Sequence, residues 1–267
     1  MRERVRERGE YNSFAKQTDN GLPSSFPVIR KCVAFTLAEV FHPAGKSRKI
    51  AFTLAEVLIT LGIIGVIAAL TLPSLIQNYR KQQTVTGLKK AYSIINQAMK
   101  LSETDNGPYK DWESGRSLGG RAYIEKYWLP YLKNITVCDT YEKCGYKSNF
   151  PFTDLTGAQS SSALVYPEFR QPFITGDGIL YTISVAGGNP VTTSNIVFID
   201  INASRGPNKF GIDYFVFVRT EKGILPYGYD FTGAEIKQGC AKQYNQIWTC
   251  AARIMRDGWQ ISDDYPW

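Results

Sequence analysis

Phe52–Leu72 is a run of 21 residues with one charge, Glu56, and it constrains this chain more than any other feature. A helix rises about 1.5 Å per residue, so the run spans about 30 Å, one hydrocarbon core. Lys46, Arg48 and Lys49 stand directly before it. Basic flanks stay on the cytoplasmic side, which sends the polar bulk after the run out of the cytoplasm.

The charge distribution agrees with that orientation. Residues 1–51 hold ten Lys/Arg against five Asp/Glu, whereas the rest of the chain holds 21 against 19. Most of the net +7 therefore sits in front of the apolar run, as in a targeting segment. The near-neutral remainder offers nothing to a phosphate backbone, so no nucleic-acid partner is expected.

A repeat marks the same junction. Ala34–Val40 reads AFTLAEV, and Ala51–Val57 reads AFTLAEV again. The first copy runs into FHPAGKSRK, where Pro43 and Gly45 end any helix. Only the second copy opens a membrane-length segment. Residues 1–33 are polar and unpatterned, with nothing apolar to hold them in place.

After Pro73 the texture changes from uniformly apolar to striped. Val85, Leu88, Tyr92, Ile95 and Met99 recur at steps of three and four. That spacing predicts an amphipathic helix whose stripe packs on a C-terminal domain. Asn106-Gly107-Pro108 ends it. One helix of about fifty residues is expected, kinked near Pro73.

Five cysteines are present, and four lie beyond the apolar run: Cys138, Cys144, Cys240 and Cys250. An even set outside the cytoplasm reads as two disulfides. Cys138–Cys144 and Cys240–Cys250 are the most local of the three possible pairings. The gaps are wider than the C-x2-C pairs of a Cys-only zinc site. Cys32 follows Ile29-Arg30-Lys31 with no apolar segment, which excludes a lipoprotein signal. The single histidine, His42, also precedes the run. A chain cut after Ala51 therefore has no histidine for a Ser-His-Asp or Cys-His pair or a His-ligated metal. An enzyme is not expected.

Beyond residue 108, Ile179–Ala186, Asn195–Ile201 and Tyr214–Arg219 are β-branched and aromatic runs bounded by Gly, Asn and Pro. They predict strands of an antiparallel sheet. Tyr123–Leu132 predicts a short helix ended at Pro130, and Ile247–Arg256 a short helix or turn. The expected fold is α+β: a long N-terminal helix, with a transmembrane first half and an amphipathic second half, packed on a small antiparallel sheet. Three parts follow: a basic leader over 1–51, a membrane and assembly helix over 52–107, and an extracytoplasmic domain over 108–267.

The segment AFTLAEVLITLGIIGVIAALTLP resembles the N-terminal signature of type IV pilins and type II secretion pseudopilins. In that family a basic leader is cut before a Phe and the new N-terminus is methylated. The resemblance implies a cut between Ala51 and Phe52. Counting from Phe52, Glu56 is fifth, where the family has Glu, and Pro73 is twenty-second, where it often has Pro. Ala51 stands where the family usually has Gly. The resemblance also implies partners: a prepilin peptidase, an inner-membrane assembly platform, and like subunits in a pilus or pseudopilus. Glu56 would then pair with the terminal amine of a neighbour's Phe52, since an unpaired carboxylate in hydrocarbon is costly; the competing reading places Glu56 at the interface, reaching the headgroups. Gly62, Gly65, Ala68 and Ala69 allow close helix approach, though membrane helices are rich in small residues anyway. The alternative is an extracytoplasmic binding or enzymatic domain on a single-span anchor.

Asp200–Asp213 sets oxygen-bearing side chains at alternating positions, as hard-cation loops do. It looks like a loop of pseudopilin-like proteins, some of which bind calcium in the C-terminal sheet. Asp200, Asn202, Ser204 and Asp213 are the candidate calcium ligands. The competing reading is an Asx-rich connection between two strands.

Overall fold

The computed structural model describes residues 53–160, 169–185, 195–242 and 248–267. The chain divides into two units, Met1–Thr53 and Leu54–Trp267. Apart from Thr53, the first unit lies outside the described residues. It contains the basic leader, the first AFTLAEV copy, Cys32, His42 and the Ala51–Phe52 junction.

A single helix, α1 (Leu54–Asn106), holds 53 residues and passes through Pro73 without interruption. Proline removes one backbone donor and fits poorly in a helix interior. The helix ends where the sequence says it must. Gly107 takes φ 78°, a conformation that costs glycine little and stops the helix. The predicted stripe packs inward: Leu88, Ile95 and Met99 are buried, joined by Ala91 and Ala98, while Val85 and Tyr92 are partly buried against the same core. Helix and sheet share this core, so residue 107 separates two elements within one unit.

After two short helices, α2 (Gly115–Leu118) and α3 (Gly120–Tyr127), six strands follow among the described residues. They are β1 (Ile135–Val137), β2 (Arg170–Thr175), β3 (Leu180–Ser184), β4 (Ile196–Asp200), β5 (Tyr214–Thr220) and β6 (Gly223–Pro226). Their order is sequential and every pairing antiparallel. Two short helices follow the sheet, α4 (Gly233–Gly239), which is capped, and α5 (Cys250–Arg256). The helix predicted over Tyr123–Leu132 ends at Tyr127, and a 3-10 turn carries the chain through Pro130. The one predicted over Ile247–Arg256 starts at Cys250.

Both faces of the sheet are covered, which explains why β3 and β4 are buried at every position. Register sets the two faces. Tyr181, Ile199 and Phe215 align on the face that meets α1. There the Tyr181 hydroxyl donates to the Ala91 carbonyl at 3.1 Å, and Tyr92 stacks on Phe217 at 5.7 Å. Thr182, Phe198 and Val216 align on the opposite face. It is covered by an aromatic cluster in which Phe152 stacks on Tyr214 at 3.6 Å and Tyr141 bonds Thr182 at 3.0 Å. The edge strand β6 is met by α1. Asn96 donates to the Ile224 carbonyl at 3.1 Å and accepts from its N–H at 2.8 Å, as a neighbouring strand would.

Candidate functional site

Two places carry the residues singled out by sequence: the first half of α1 and the Asp200–Asp213 loop. On α1, none of the apolar window is buried. Leu58, Ile63, Ile67, Leu70 and Leu75 are all more than half exposed. The few polar groups there are satisfied within the helix. Thr60, Thr71 and Ser74 each donate to a carbonyl three or four residues back, at 2.9 Å. That is what a hydrocarbon solvent requires of a hydroxyl. Glu56 is exposed in the first turn, where the helix dipole favours an anion. A Cβ on Gly62 or Gly65 would meet nothing within 4 Å, so this face is open along its length. Ala51 and Phe52, the expected cleavage pair, lie outside the described residues.

Beyond the sheet-packed half, the domain closes two disulfides, Cys138–Cys144 and Cys240–Cys250, the local pairing expected. Among the described residues one helix is thus long and apolar enough to cross a membrane, and the disulfides mark an oxidising compartment outside the cytoplasm.

The second place begins at the end of β4. Asp200 is wholly buried, and its two oxygens accept from the Tyr146 hydroxyl at 2.9 Å and from the Asn202 N–H at 3.1 Å. Asp213, also buried, accepts from the N–H groups of Asn208 and Lys209 at 2.8 and 2.7 Å. Burial pushes the Asp200 carboxyl well above the ordinary carboxylate range, and the Asp213 charge adds to it. Burial also raises Asp213, against the pull of its backbone donors. The chain between them turns through a cis Gly206-Pro207 bond. Thr84 of α1 ties the loop down, donating to the Ile212 carbonyl at 3.1 Å.

The four candidate calcium ligands divide. Asp200, Asn202 and Asp213 adjoin one another, whereas Ser204 is exposed and its hydroxyl lies towards Gly145. Among the described residues no three His, Cys, Asp or Glu side chains converge. The buried Oδ1 atoms of Asn202 and Asn208 have no hydrogen-bond partner among the described residues, and such oxygens suit a hard cation. Every carboxylate oxygen already accepts a protein hydrogen bond, so the loop closes without an ion. Tyr146 and Asn208 escaped the sequence reading. Nothing in the spacing of Tyr146 couples it to a carboxyl 54 residues away. Asn208 lay inside the segment, but only the fold reveals its orphaned oxygen.

A family model described as a family of unknown function (DUF6613) matches residues 74–267. No curated protein and no solved structure matches the chain.

Proposed function

We propose, for a chain that belongs to the family of unknown function DUF6613, that it is a pilin-like subunit: cut before Phe52, methylated there, and assembled into a type IV pilus or type II secretion pseudopilus. The family match begins one residue past Pro73, so the proposal rests on the segment before it. The observation that carries it is the continuity of α1. An uncovered apolar half, opening on Glu56, runs without a break into the half that forms the core of a disulfide-closed domain. In a plain anchor this carboxylate gains only the helix dipole; in a packed filament it also gains a neighbour's terminal amine as partner.

In this reading the partners are a prepilin peptidase, an inner-membrane assembly platform and other pilin-like subunits. The chain acts by assembly and not by catalysis. It sits first in the bacterial inner membrane with its domain outside the cytoplasm, then in a filament. Asn202, Asn208 and Asp213 would hold calcium within the same reading, with Asp200 behind them. Mass spectrometry of the N-terminal peptide, from a host with the peptidase, tests the proposal. The expected peptide begins at N-methylated Phe52. An intact leader, or a cut before Phe35, overturns it.

A pocket of about 560 Å³ beside β5 and β6 favours the second reading, a binding domain on a single-span anchor. Tyr109, Asn195, Arg219, Tyr229 and Phe231 line it.

A further inference from the structure

A groove of about 970 Å³ runs between α1 and the Asp200–Asp213 loop. Tyr79, Arg80, Arg205, Pro207, Ile212 and Trp267 line it. Arg80 and Arg205 are both exposed, and neither makes an ion pair among the described residues. Arg205 is held in place by its Nε, which donates to the Asn202 carbonyl at 3.0 Å. The one carboxylate side chain lining the groove, and two near it, have partners of their own. Asp213 is turned inward onto backbone N–H groups, Asp177 pairs with Lys90 at 2.7 Å, and Asp263 lies 3.9 Å from Lys81. The groove therefore presents two guanidinium groups that make no ion pair among the described residues, beside two amphipathic aromatics.

Its position along α1 decides what fills it. The exposed apolar surface lasts through Leu75 and Ile76. Arg80 follows Ile76 by four residues, about 6 Å along the axis. The 20 residues from Val57 to Ile76 also span about 30 Å, and with them filling the hydrocarbon Arg80 falls within the far headgroup layer, about 5–8 Å deep. Tyr and Trp settle at that boundary, and Arg pairs its planar fork with phosphate.

We propose that this groove seats an anionic phospholipid headgroup of the leaflet facing the domain, with Arg80 and Arg205 on its phosphate and Tyr79 and Trp267 at the hydrocarbon boundary. The proposal rests on the membrane-anchor part of the proposed function and not on filament assembly. The bound lipid fixes how deep the helix sits and how the domain stands on the membrane.

The test uses the full chain in nanodiscs of equal phosphatidylglycerol and phosphatidylcholine. Lipid retained on the protein after transfer to detergent is quantified by mass spectrometry. Wild type is expected to enrich phosphatidylglycerol about tenfold or more over the Arg80→Gln/Arg205→Gln double variant, from two basic side chains at an anionic surface. The comparison cancels the bases of the leader, which are unchanged. Arg80→Gln alone, which leaves the Arg205–Asn202 bond intact, should lose part of the enrichment while melting like wild type. Arg→Lys at both positions should keep part of it, since charge survives but the fork does not. Equal enrichment in wild type and double variant overturns the proposal. Removal of the lipid by millimolar inorganic phosphate overturns it too, and makes the groove a free-phosphate site. Failure to enter nanodiscs overturns it together with the anchor; entry without enrichment overturns it alone.

Discussion

The two halves of α1 are one helix in two solvents. From Leu54 to Ile76 no residue is buried on any face; from Thr84 to Ser102 a stripe is buried and the other face is wet. The backbone does not register the change, since one uninterrupted helix carries both. The side chains do. The first half has no polar face to give to water, and the second has one apolar stripe to give to a sheet. A helix apolar on every side needs lipid or other helices around it, whereas a striped one needs a single partner surface, which the domain supplies.

Two substitutions should break that comparison if it is wrong. Ile95 is fully buried against the sheet, while Ile63 is 56% exposed. Ile95→Ala is expected to destabilise the domain by about 2–5 kcal/mol, the cost of a buried aliphatic truncation that leaves a cavity. Ile63→Ala should leave the thermal midpoint unchanged. Melts of the full chain in detergent, followed by near-ultraviolet circular dichroism, measure both. Equal losses would mean that the exposed half packs on the domain after all.

The next effect sharpens the role of the exposed half. Glu56→Ala should leave membrane insertion intact, since it removes the one charge of the span. Incorporation into filaments should fall about tenfold, equivalent to about 1.4 kcal/mol per subunit contact. Counting labelled subunits in sheared filaments against the membrane fraction reads both quantities. Full incorporation would remove the pairing role of Glu56.

How far the sequence could be read follows the same division. The apolar run, the stripe and the Gly107 stop were legible because each depends on neighbours one helical turn away. Strands β3, β4 and β5 were legible as β-branched and aromatic runs. Strands β1, β2 and β6 were not. β1 and β6 have three and four residues, and β2 carries Pro172, which reads against a strand inside a sheet. The structure accommodates Pro172 beside the edge strand β1, where its carbonyl accepts from the Cys138 N–H at 3.0 Å. Helix α4 was missed despite a capping box, in which Thr232 and Glu235 bond each other's backbone N–H groups. The Asp200–Asp213 loop was found, but its partners Tyr146 and Thr84 lie 54 and 128 residues from the atoms they bond. Such contacts belong to the topology and leave no local pattern.

The smallest effect concerns the place where α1 passes from exposed to buried, because Thr84 anchors it to the loop holding Asp200 and Asp213. Both carboxyls are raised above their ordinary values by burial, Asp200 most of all. A raised acid favours the folded state while it is protonated. Its contribution is complete below the unfolded value near pH 4 and is lost as pH rises through the folded one. Without calcium, the domain should therefore lose stability from this loop between acidic and neutral pH. Asp200→Asn keeps an acceptor for the Asn202 N–H, and the Tyr146 hydroxyl can turn to accept from the new amide. That variant should be more stable than wild type at pH 7.5 by about 1 kcal/mol, with the gap closing towards pH 4. Calcium reverses the prediction if Asn202, Asn208 and Asp213 hold it. Wild type would then melt higher as calcium rises, by linkage to the folded state, and Asp200→Asn would lose that gain. Paired melts with calcium and with chelator decide between them. Coincident curves for wild type end the calcium reading and leave two buried acids that hold a turn. A flat pH profile in chelator would show instead that folding does not raise these two carboxyls.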